Sequence, residues 1–117
     1  MTFSEAIKSG FHKCLTLTGR ASRSEYWYWV LFIILITFVL SFFGMTSDDS
    51  FIGFLTGIFF FLAHLTVAVR RLHDLNKSGW WVLLGMIPII GTLFLFAWFT
   101  IQGTIGANQY GEDPLTA

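Results

Sequence analysis

Residues 51–71 read FIGFLTGIFFFLAHLTVAVRR, and this stretch decides the fold. Residues 51–69 include no Asp, Glu, Lys or Arg, and a helix over them would extend roughly 30 Å at about 1.5 Å per residue. That length matches the hydrocarbon core of a bilayer, whereas buried helices of soluble proteins seldom carry an uncharged apolar run beyond about 14 residues. The stretch therefore predicts a transmembrane helix that ends at a pair of arginines.

Two further segments, residues 26–45 and 80–101, also lack these charged residues and are long enough to cross a bilayer. Over the whole chain 55% of residues are hydrophobic and 12% are charged, whereas soluble domains contain about 25% charged residues. This composition excludes a water-soluble monomer. The segment 26–45 starts too late and is too long for a cleavable signal peptide, so we expect it to be kept in the mature protein. The sequence predicts an all-α membrane protein, a single domain with three transmembrane helices.

The N-terminal segment, residues 2–15, has the pattern of an amphipathic helix, with an apolar stripe on one side. Its opposite side is cationic and carries Lys8, His12 and Lys13. Thr2 and Glu5 have the spacing of a capping box, in which each side chain satisfies a free amide at the helix start. The pattern predicts an interfacial helix on the membrane surface, and a frayed terminus that packs only at times is the alternative.

The positions of Lys and Arg predict the orientation. All 7 of these residues precede the first span or lie between the second and the third, namely Lys8, Lys13, Arg20, Arg23, Arg70, Arg71 and Lys77. The positive-inside rule then places the N-terminal arm and the loop 70–79 in the cytoplasm. Three crossings would leave the tail, residues 103–117, outside. However, Gly85, Pro88 and Gly91 interrupt the third segment and permit a re-entrant hairpin, which would return the tail to the cytoplasm.

Three residues of the second span share one helical stripe at about 100° per residue: Gly53, Gly57 and His64. The GxxxG spacing lets two helix backbones approach closely, which indicates a homo-oligomer, although such pairs also occur by chance on lipid-facing surfaces. His64 is the one histidine within the three predicted spans. It is either a neutral side chain bonded to another helix, or a group that lines a pathway shared by several copies.

The densest polar segment is RRLHDLNKSG, residues 70–79. Arg70 and Arg71 complement the negative end of the second helix, and Asp74 has the spacing to pair with either. The predicted orientation puts this loop on the same side as the polar residues before the first span. We therefore expect one cytoplasmic cluster that binds a lipid headgroup or a partner protein. Its candidate residues are Arg20, Arg23, Glu25, Arg70, Arg71, His73 and Asp74.

Several functional classes lack support in the sequence. Arg, His and Asp occur together, but no nucleophile or oxyanion donor accompanies them, so we expect a non-enzymatic protein with no catalytic residue and no cofactor. The single cysteine, Cys14, cannot form an intramolecular disulfide or a thiol-based metal cluster, and we expect no metal site. The chain has neither a P-loop lysine nor a basic groove outside the membrane, so nucleotide and nucleic-acid binding are not expected.

Four motifs occur in an order that resembles one family. They are GRASRSEYW at 19–27, RRLHDLNKSGWW at 70–81, IPIIG at 87–91 and NQYGEDP at 108–114. The chain is similar over nearly its whole length to the bacterial inner-membrane family catalogued as domain of unknown function 805, with recurring patterns GRxSRxExW, RRLHDxxxSGWW and NxYGxDP. Gln109 departs from it, since many members have Arg there. The resemblance implies a small multi-pass inner-membrane protein with polar motifs at its helix ends, and no activity.

Two hypotheses for function follow from these patterns. The first is a non-enzymatic module that binds anionic membrane lipids or a protein partner through the polar cluster and self-associates through its glycine face. The second is a small oligomeric channel or transporter with His64 along the pathway.

Overall fold

The computed structural model describes residues 2–44 and 51–115. Its elements are α1 (Phe3–His12), α2 (Arg23–Phe42), α3 (Phe51–Asp74), a 3₁₀ helix (Gly79–Met86) and α4 (Ile90–Thr100). No β-strand forms in this part of the chain, so the all-α prediction is confirmed there. Residues 46–50, which separate the first two predicted spans and include Asp48 and Asp49, lie outside the described residues.

Helix α1 begins with the capping box that the sequence predicted. Thr2 Oγ1 accepts a hydrogen bond from the Glu5 amide at 3.2 Å, and Glu5 Oε2 accepts one from the Thr2 amide at 3.0 Å. The helix is shorter than the predicted range 2–15, because it ends at His12 and Lys13 closes its last turn. Amphipathic helix formation is thus confirmed, while its position on a membrane surface stays a prediction.

The contact between α1 and α2 depends on close approach of their backbones. Ala6 and Gly10 are the buried residues of α1. A Cβ atom at Gly10 would overlap the ring of Trp29, so only glycine permits this packing. Phe11 packs edge-on against Trp29 with ring centroids 5.4 Å apart. The N-terminal helix is therefore an integral part of the fold.

Helices α2 and α3 are long and apolar enough to cross a membrane. They contain 20 and 24 residues, or about 30 and 36 Å at 1.5 Å per residue. Ser22 caps α2 by accepting from the Glu25 amide at 3.2 Å. The Glu25 carboxylate does not return a hydrogen bond to the Ser22 amide, because it accepts from α1 and α3 instead.

The buried core lies at one end of this helix pair. On α3 burial begins at Ala63 and includes most residues up to Asp74, whereas residues 51–62 are largely exposed. On α2 the buried residues are Glu25, Tyr26 and Trp29, all in the first turns. The other halves of both helices present large apolar side chains, such as Phe38 and Phe54, as lipid contact requires.

The third hydrophobic segment, residues 80–101, does not form the continuous helix that its composition predicted. It divides into the 3₁₀ helix and α4 at a turn where Ile89 has a φ of 65°. Pro88 lacks a backbone donor, and Gly91 packs so closely on the Leu84 carbonyl that no Cβ would fit. Helix α4 has 11 residues, about 16 Å, against roughly 30 Å for a bilayer core. Among the described residues two helices are therefore long enough to span a bilayer, and a third crossing by residues 80–101 is not confirmed.

Both ends of this segment lie against the last turns of α3. At its start, a Cβ at Gly79 would meet Val69 Cγ1 at 2.7 Å. At its end, Arg71 Nε donates to the Phe99 carbonyl at 3.2 Å. The 3₁₀ helix and α4 thus form a hairpin, residues 79–100, that starts and finishes at the C-terminal end of α3.

Candidate functional site

Four segments meet at the C-terminal end of α3: the chain that leads into α2, the last turns of α3, the end of α4, and the C-terminal tail, residues 103–115. Their polar side chains form a buried network, which we name the polar cluster. Its members are Arg20, Glu25, Arg70, Arg71, His73 and Asp74. Each exposes 9% or less of its surface, and charged residues are buried to this extent almost only when they are paired.

Asp74, the last residue of α3, lies at the centre of the polar cluster. Its Oδ1 accepts from Arg20 Nε at 2.9 Å, and its Oδ2 accepts from Arg71 Nη1 one turn back on the same helix. Its backbone carbonyl accepts from the Thr104 amide at 2.7 Å. Gly103 lies so close to the carboxylate that a Cβ there would overlap it. One residue thus joins α3, the segment before α2 and the tail.

Arg20 attaches the tail to the helices. Beyond Asp74, its Nη1 donates to the Gly106 carbonyl at 2.7 Å, and its Nη2 donates to the Thr104 carbonyl at 2.6 Å. Asp113 closes the tail on itself by accepting from the Gly106 amide at 2.9 Å. Backbone amide donors, including that of Leu115, hold the pKa of the Asp113 carboxyl below its usual range. Residues 103–115 of the tail are thus folded against the helices.

Arg71 satisfies the end of α4. Its Nη2 donates to the Phe99 carbonyl at 3.2 Å and also to the Ile101 carbonyl. Trp27 Nε1 donates to the same Phe99 oxygen at 3.2 Å, and the exposed Arg23 donates to the Thr100 carbonyl at 3.3 Å. The last carbonyls of a helix have no partner within the helix and carry its negative partial charge. Cationic donors from α2 and α3 complete them here.

Arg70 forms a second buried pair, with Glu25. Arg70 Nη1 donates to Glu25 Oε1 at 2.7 Å, and Ser9 Oγ donates to the same oxygen at 2.6 Å. This carboxylate therefore connects α1, α2 and α3. Arg70 Nε and Nη2, and the indole nitrogen of Trp29, are buried without a partner in the part of the chain that the structure describes.

His73 anchors the other face of the tail. Its ring stacks on Tyr110 with centroids 4.0 Å apart and an interplanar angle of 2°. Its Nδ1 lies 3.0 Å from the Gly19 carbonyl. The His73 carbonyl accepts from Asn108 Nδ2 at 2.9 Å. Residues of the predicted loop thus pack against both the N-terminal motif and the tail.

The structure brings the predicted site residues together in one place, except that Arg23 lies exposed at its margin. Binding of a headgroup or a partner by this set stays a prediction. The geometry adds a constraint, since the guanidinium groups of Arg20 and Arg71 donate to protein acceptors on every nitrogen. Within the polar cluster these side chains stabilise contacts between segments.

Other contributors were missed at the sequence level. Tyr26 and Trp27 are placed by their sequence in an aromatic belt at the membrane boundary, but Tyr26 is fully buried and Trp27 binds the end of α4. Ser9 gave no signal beyond a polar position on an amphipathic helix. The backbone carbonyls of the tail and of α4 that accept from the arginines cannot be recognised from the side chains of their residues.

The glycine and histidine positions of α3 lie apart from the polar cluster. Gly57 is exposed and a Cβ there would meet nothing within 4 Å, while Gly53 is partly buried. His64 is half-buried, with its ring centroid 5.7 Å from that of Tyr26. Among the described residues no group of His, Cys, Asp and Glu has the arrangement of a metal site.

The segments that build the polar cluster coincide with a known family. The model of the family described as protein of unknown function (DUF805) matches residues 14–112. The chain belongs to this family. The inner membrane protein YhaH of Escherichia coli K12 is 39% identical over 102 residues, covering 82% of this chain and 84% of that protein. YhaI of the same strain is 37% identical over 99 residues, covering 83% and 84%. No solved structure matches the chain.

These comparisons confirm the resemblance read from the four motifs. The relatives are inner membrane proteins, in agreement with the apolar helices α2 and α3. The matched range begins at Cys14 and so includes the whole polar cluster except for the Ser9 contact from α1. Neither the family description nor the names of the relatives provide an activity.

We predict that Asp74→Asn unfolds the end of the helix bundle. The change keeps the side-chain shape but leaves Arg20 and Arg71 buried without their shared anion, which costs about 3–5 kcal/mol when a buried partner is removed. Tryptophan fluorescence during denaturation in detergent micelles measures this loss. The control is Arg23→Gln, an exposed position for which the loss should be about 1 kcal/mol or less. Equal stability of the two variants would contradict the central role of Asp74.

Proposed function

We propose that this chain is a non-enzymatic inner-membrane module that binds anionic lipid headgroups through cations around its polar cluster, and that it self-associates. The observation that carries the proposal is that the cationic side chains fall into a buried group and an exposed group. The arginines of the polar cluster are buried, while other cationic side chains near the polar cluster are exposed.

The inner arginines are unsuited to a headgroup without rearrangement. Arg20, Arg70 and Arg71 are 6% exposed or less. The nitrogens of Arg20 and Arg71, together with Arg70 Nη1, serve two carboxylates and the carbonyls of the tail and of α4. The other two donor nitrogens of Arg70 are buried. This use of arginine differs from the sequence-based hypothesis, which assigned the headgroup to the whole set. In the proposal, the inner arginines position the segments that carry the exposed cations.

The outer cations have the surroundings that a membrane surface requires. Lys8 and Lys13 are exposed on α1 and directly after it, and Arg23 is exposed at the start of α2. Apolar side chains beside them are also exposed, with Leu15 at 76% and Leu17 at 53%. Amphipathic segments of this kind place apolar groups among acyl chains and cations among headgroups. Each Lys or Arg near an anionic surface contributes about 1 kcal/mol.

We predict that the triple variant Lys8→Gln, Lys13→Gln and Arg23→Gln binds anionic lipid at least about tenfold more weakly, since three such contributions are removed. Native mass spectrometry with added phosphatidylglycerol, and with phosphatidylcholine for comparison, measures this. The matched control is Lys77→Gln, because Lys77 lies 4.5 Å above the Trp98 ring and is engaged there. Retention of phosphatidylglycerol by the triple variant at the unaltered level would reject the lipid proposal.

The proposed orientation places the N-terminal arm, the loop 70–79 and the tail together on the cytoplasmic side. The support is that Asp74, Arg20 and the tail are joined by direct hydrogen bonds, so the two ends of the hairpin lie at one end of the helix pair. The hairpin would then enter the membrane and return, with α2 and α3 as the crossing helices.

Paired reporter fusions at the C-terminus distinguish the two topologies. We predict that green fluorescent protein fused there is fluorescent and that alkaline phosphatase fused there is inactive, as for a cytoplasmic end. A fusion of each reporter after Gly44, between α2 and α3, is the matched control and should give the opposite pattern. An active phosphatase at the C-terminus would require three crossings and reject the re-entrant hairpin.

Self-association is proposed through the exposed half of α3. A Cβ atom at Gly57 would have no neighbouring atom within 4 Å, so the surface around Gly57 is open to a second helix. We predict that Gly57→Leu weakens the dimer about tenfold, because a larger side chain in a closely packed contact costs on the order of 1–3 kcal/mol. Single-molecule photobleaching in liposomes reports the dimer fraction, with Phe38→Leu on the exposed face of α2 as control. An unchanged dimer fraction in Gly57→Leu, or an unaltered chain that is monomeric at every protein density in the liposomes, would reject the self-association proposal.

The hypothesis of a channel with His64 along its pathway stays a prediction.

A further inference from the structure

The packing of the hairpin against α3 leaves a large space unfilled. At the start of the hairpin Gly79 lies against Val69, and at its end the Phe99 carbonyl accepts a hydrogen bond from Arg71. Between these two contacts an apolar cavity of about 440 Å³ is lined by α3, the 3₁₀ helix and α4. Protein interiors are close-packed and contain few voids larger than a water molecule. A space of this size indicates that another molecule completes the contact between the hairpin and α3.

The lining of the cavity selects an apolar occupant. None of the described residues that line it is Lys, Arg, Asp or Glu. Leu95 and Phe99 of α4, which contribute to the lining, are buried, and so is Ala68 of α3. Apolar cavities stay dry and take up apolar guests. A charged group would find no counter-charge there, so the lining excludes a phosphate headgroup and a carboxylate.

The cavity opens onto the surface that lipid covers. At its rim Phe61 of α3 is 65% exposed and Met86 of the 3₁₀ helix is 79% exposed. Phe61 and His64 also line a more open apolar groove of about 290 Å³ between α2 and α3. The cavity is therefore continuous with the outer surface of the two helices that are long enough to span a membrane. The relatives are inner membrane proteins, and phospholipid surrounds such a surface.

The depth of the cavity along α3 matches the hydrocarbon of a bilayer. The lining residues of α3 extend from Phe61 to Ala68, about 9 to 20 Å from Asp74 at 1.5 Å per residue. Asp74 ends the helix, and a bilayer core is about 30 Å thick. When α3 spans the membrane, the opening of the cavity therefore faces acyl chains and lies below the headgroups.

We propose that this cavity binds one acyl chain of a membrane phospholipid, and that the chain completes the packing of the hairpin against α3. An acyl chain is uncharged and flexible, and each methylene in contact with the lining gains dispersion energy that an empty cavity forgoes. The headgroup would remain at the membrane boundary near Trp80 and Trp81, which are exposed at the start of the hairpin. The site uses none of the exposed cations of the anionic-lipid proposal, and it selects a chain instead of a headgroup.

The test is thermal unfolding of the full chain in a steroid-based detergent, which offers no alkyl chain to the cavity. Added dipalmitoyl phosphatidylcholine should raise the thermal midpoint in a saturable manner, because a ligand that binds the folded state stabilises it. A phosphatidylcholine with two six-carbon chains should give a smaller rise, since its chains fill less of the cavity.

Gly85→Leu should fill the cavity from the 3₁₀ helix. A Cβ at Gly85 would lie 3.6 Å from Leu95, an ordinary van der Waals distance, so the larger side chain has room to enter. Without lipid this variant should unfold at a higher temperature than the unaltered chain, as cavity-filling substitutions commonly do. Its apparent affinity for dipalmitoyl phosphatidylcholine should be at least about tenfold weaker, because the side chain takes the place of the acyl chain.

A matched pair of substitutions separates the cavity from the rest of the lipid-facing surface. Ala68→Leu adds the same atoms in the cavity that Ala97→Leu adds at an exposed position of α4 outside it. Ala68→Leu should lose the response to the sixteen-carbon lipid, and Ala97→Leu should keep it.

The variant with Lys8, Lys13 and Arg23 changed to Gln should also keep this response, so failure of the anionic-lipid proposal is distinguished from failure of this one. The acyl-chain proposal is overturned if Gly85→Leu and Ala68→Leu both respond to lipid as the unaltered chain does, or if the two phosphatidylcholines raise its midpoint equally. It is also overturned if the midpoint rises with protein concentration and not with lipid, a result that would assign the cavity to a side chain of a second copy.

Discussion

The structure depends on one carboxylate that is shared by two buried guanidinium groups. Asp74 neutralises charge from Arg20 and Arg71 where water has little access, and unpaired burial of either arginine would be prohibitive. Two cations against one anion leave an excess of positive charge. Backbone carbonyls offset it, since Arg20 donates to Thr104 and Gly106 while Arg71 donates to Phe99 and Ile101. The positions of the tail and of the end of α4 are therefore requirements of the charge balance.

The same requirement explains why an apolar segment returns to its starting point. The hairpin is too short in each half to cross a bilayer, and the end of α4 exposes carbonyls that need donors. Arg71, Arg23 and Trp27 supply them from α3 and α2. Arg71 both donates to the free carbonyls at the end of α4 and pairs with Asp74. Loss of Arg71 or of Asp74 would therefore release both the hairpin and the tail.

The sequence predicted the features that follow from local rules. Uncharged runs predicted α2 and α3 because the thickness of hydrocarbon sets helix length, and Thr2 with Glu5 predicted the start of α1 because both groups of a capping box are visible in sequence. The distribution of arginines predicted that the N-terminal motif and the loop after α3 would meet. The backbone acceptors of the polar cluster could not be predicted. Every residue has a backbone carbonyl, so the sequence does not show that those of Phe99 and Thr104 accept the hydrogen bonds.

Tertiary packing overruled two expectations. Tyr26 has the chemistry of an interfacial residue, but the returning hairpin covers it and Phe99 packs against it with centroids 4.5 Å apart. The composition of residues 80–101 is equally compatible with one long helix and with a hairpin. In both structures the apolar side chains contact either the protein interior or lipid, and both of these are apolar. Pro88 and Gly91 marked the position of the break. They did not determine whether the chain would continue across or return.

The confinement of the core to one end of α2 and α3 has a consequence for the molecule's outline. At that end α1, the hairpin and the tail surround the helix pair, and beyond the hairpin tip only the two helices remain. The chain measures 45 × 32 × 20 Å along its principal axes. In a membrane crossed by α2 and α3, the leaflet around the buried end would have to make room for more protein than the leaflet around the exposed halves of these helices.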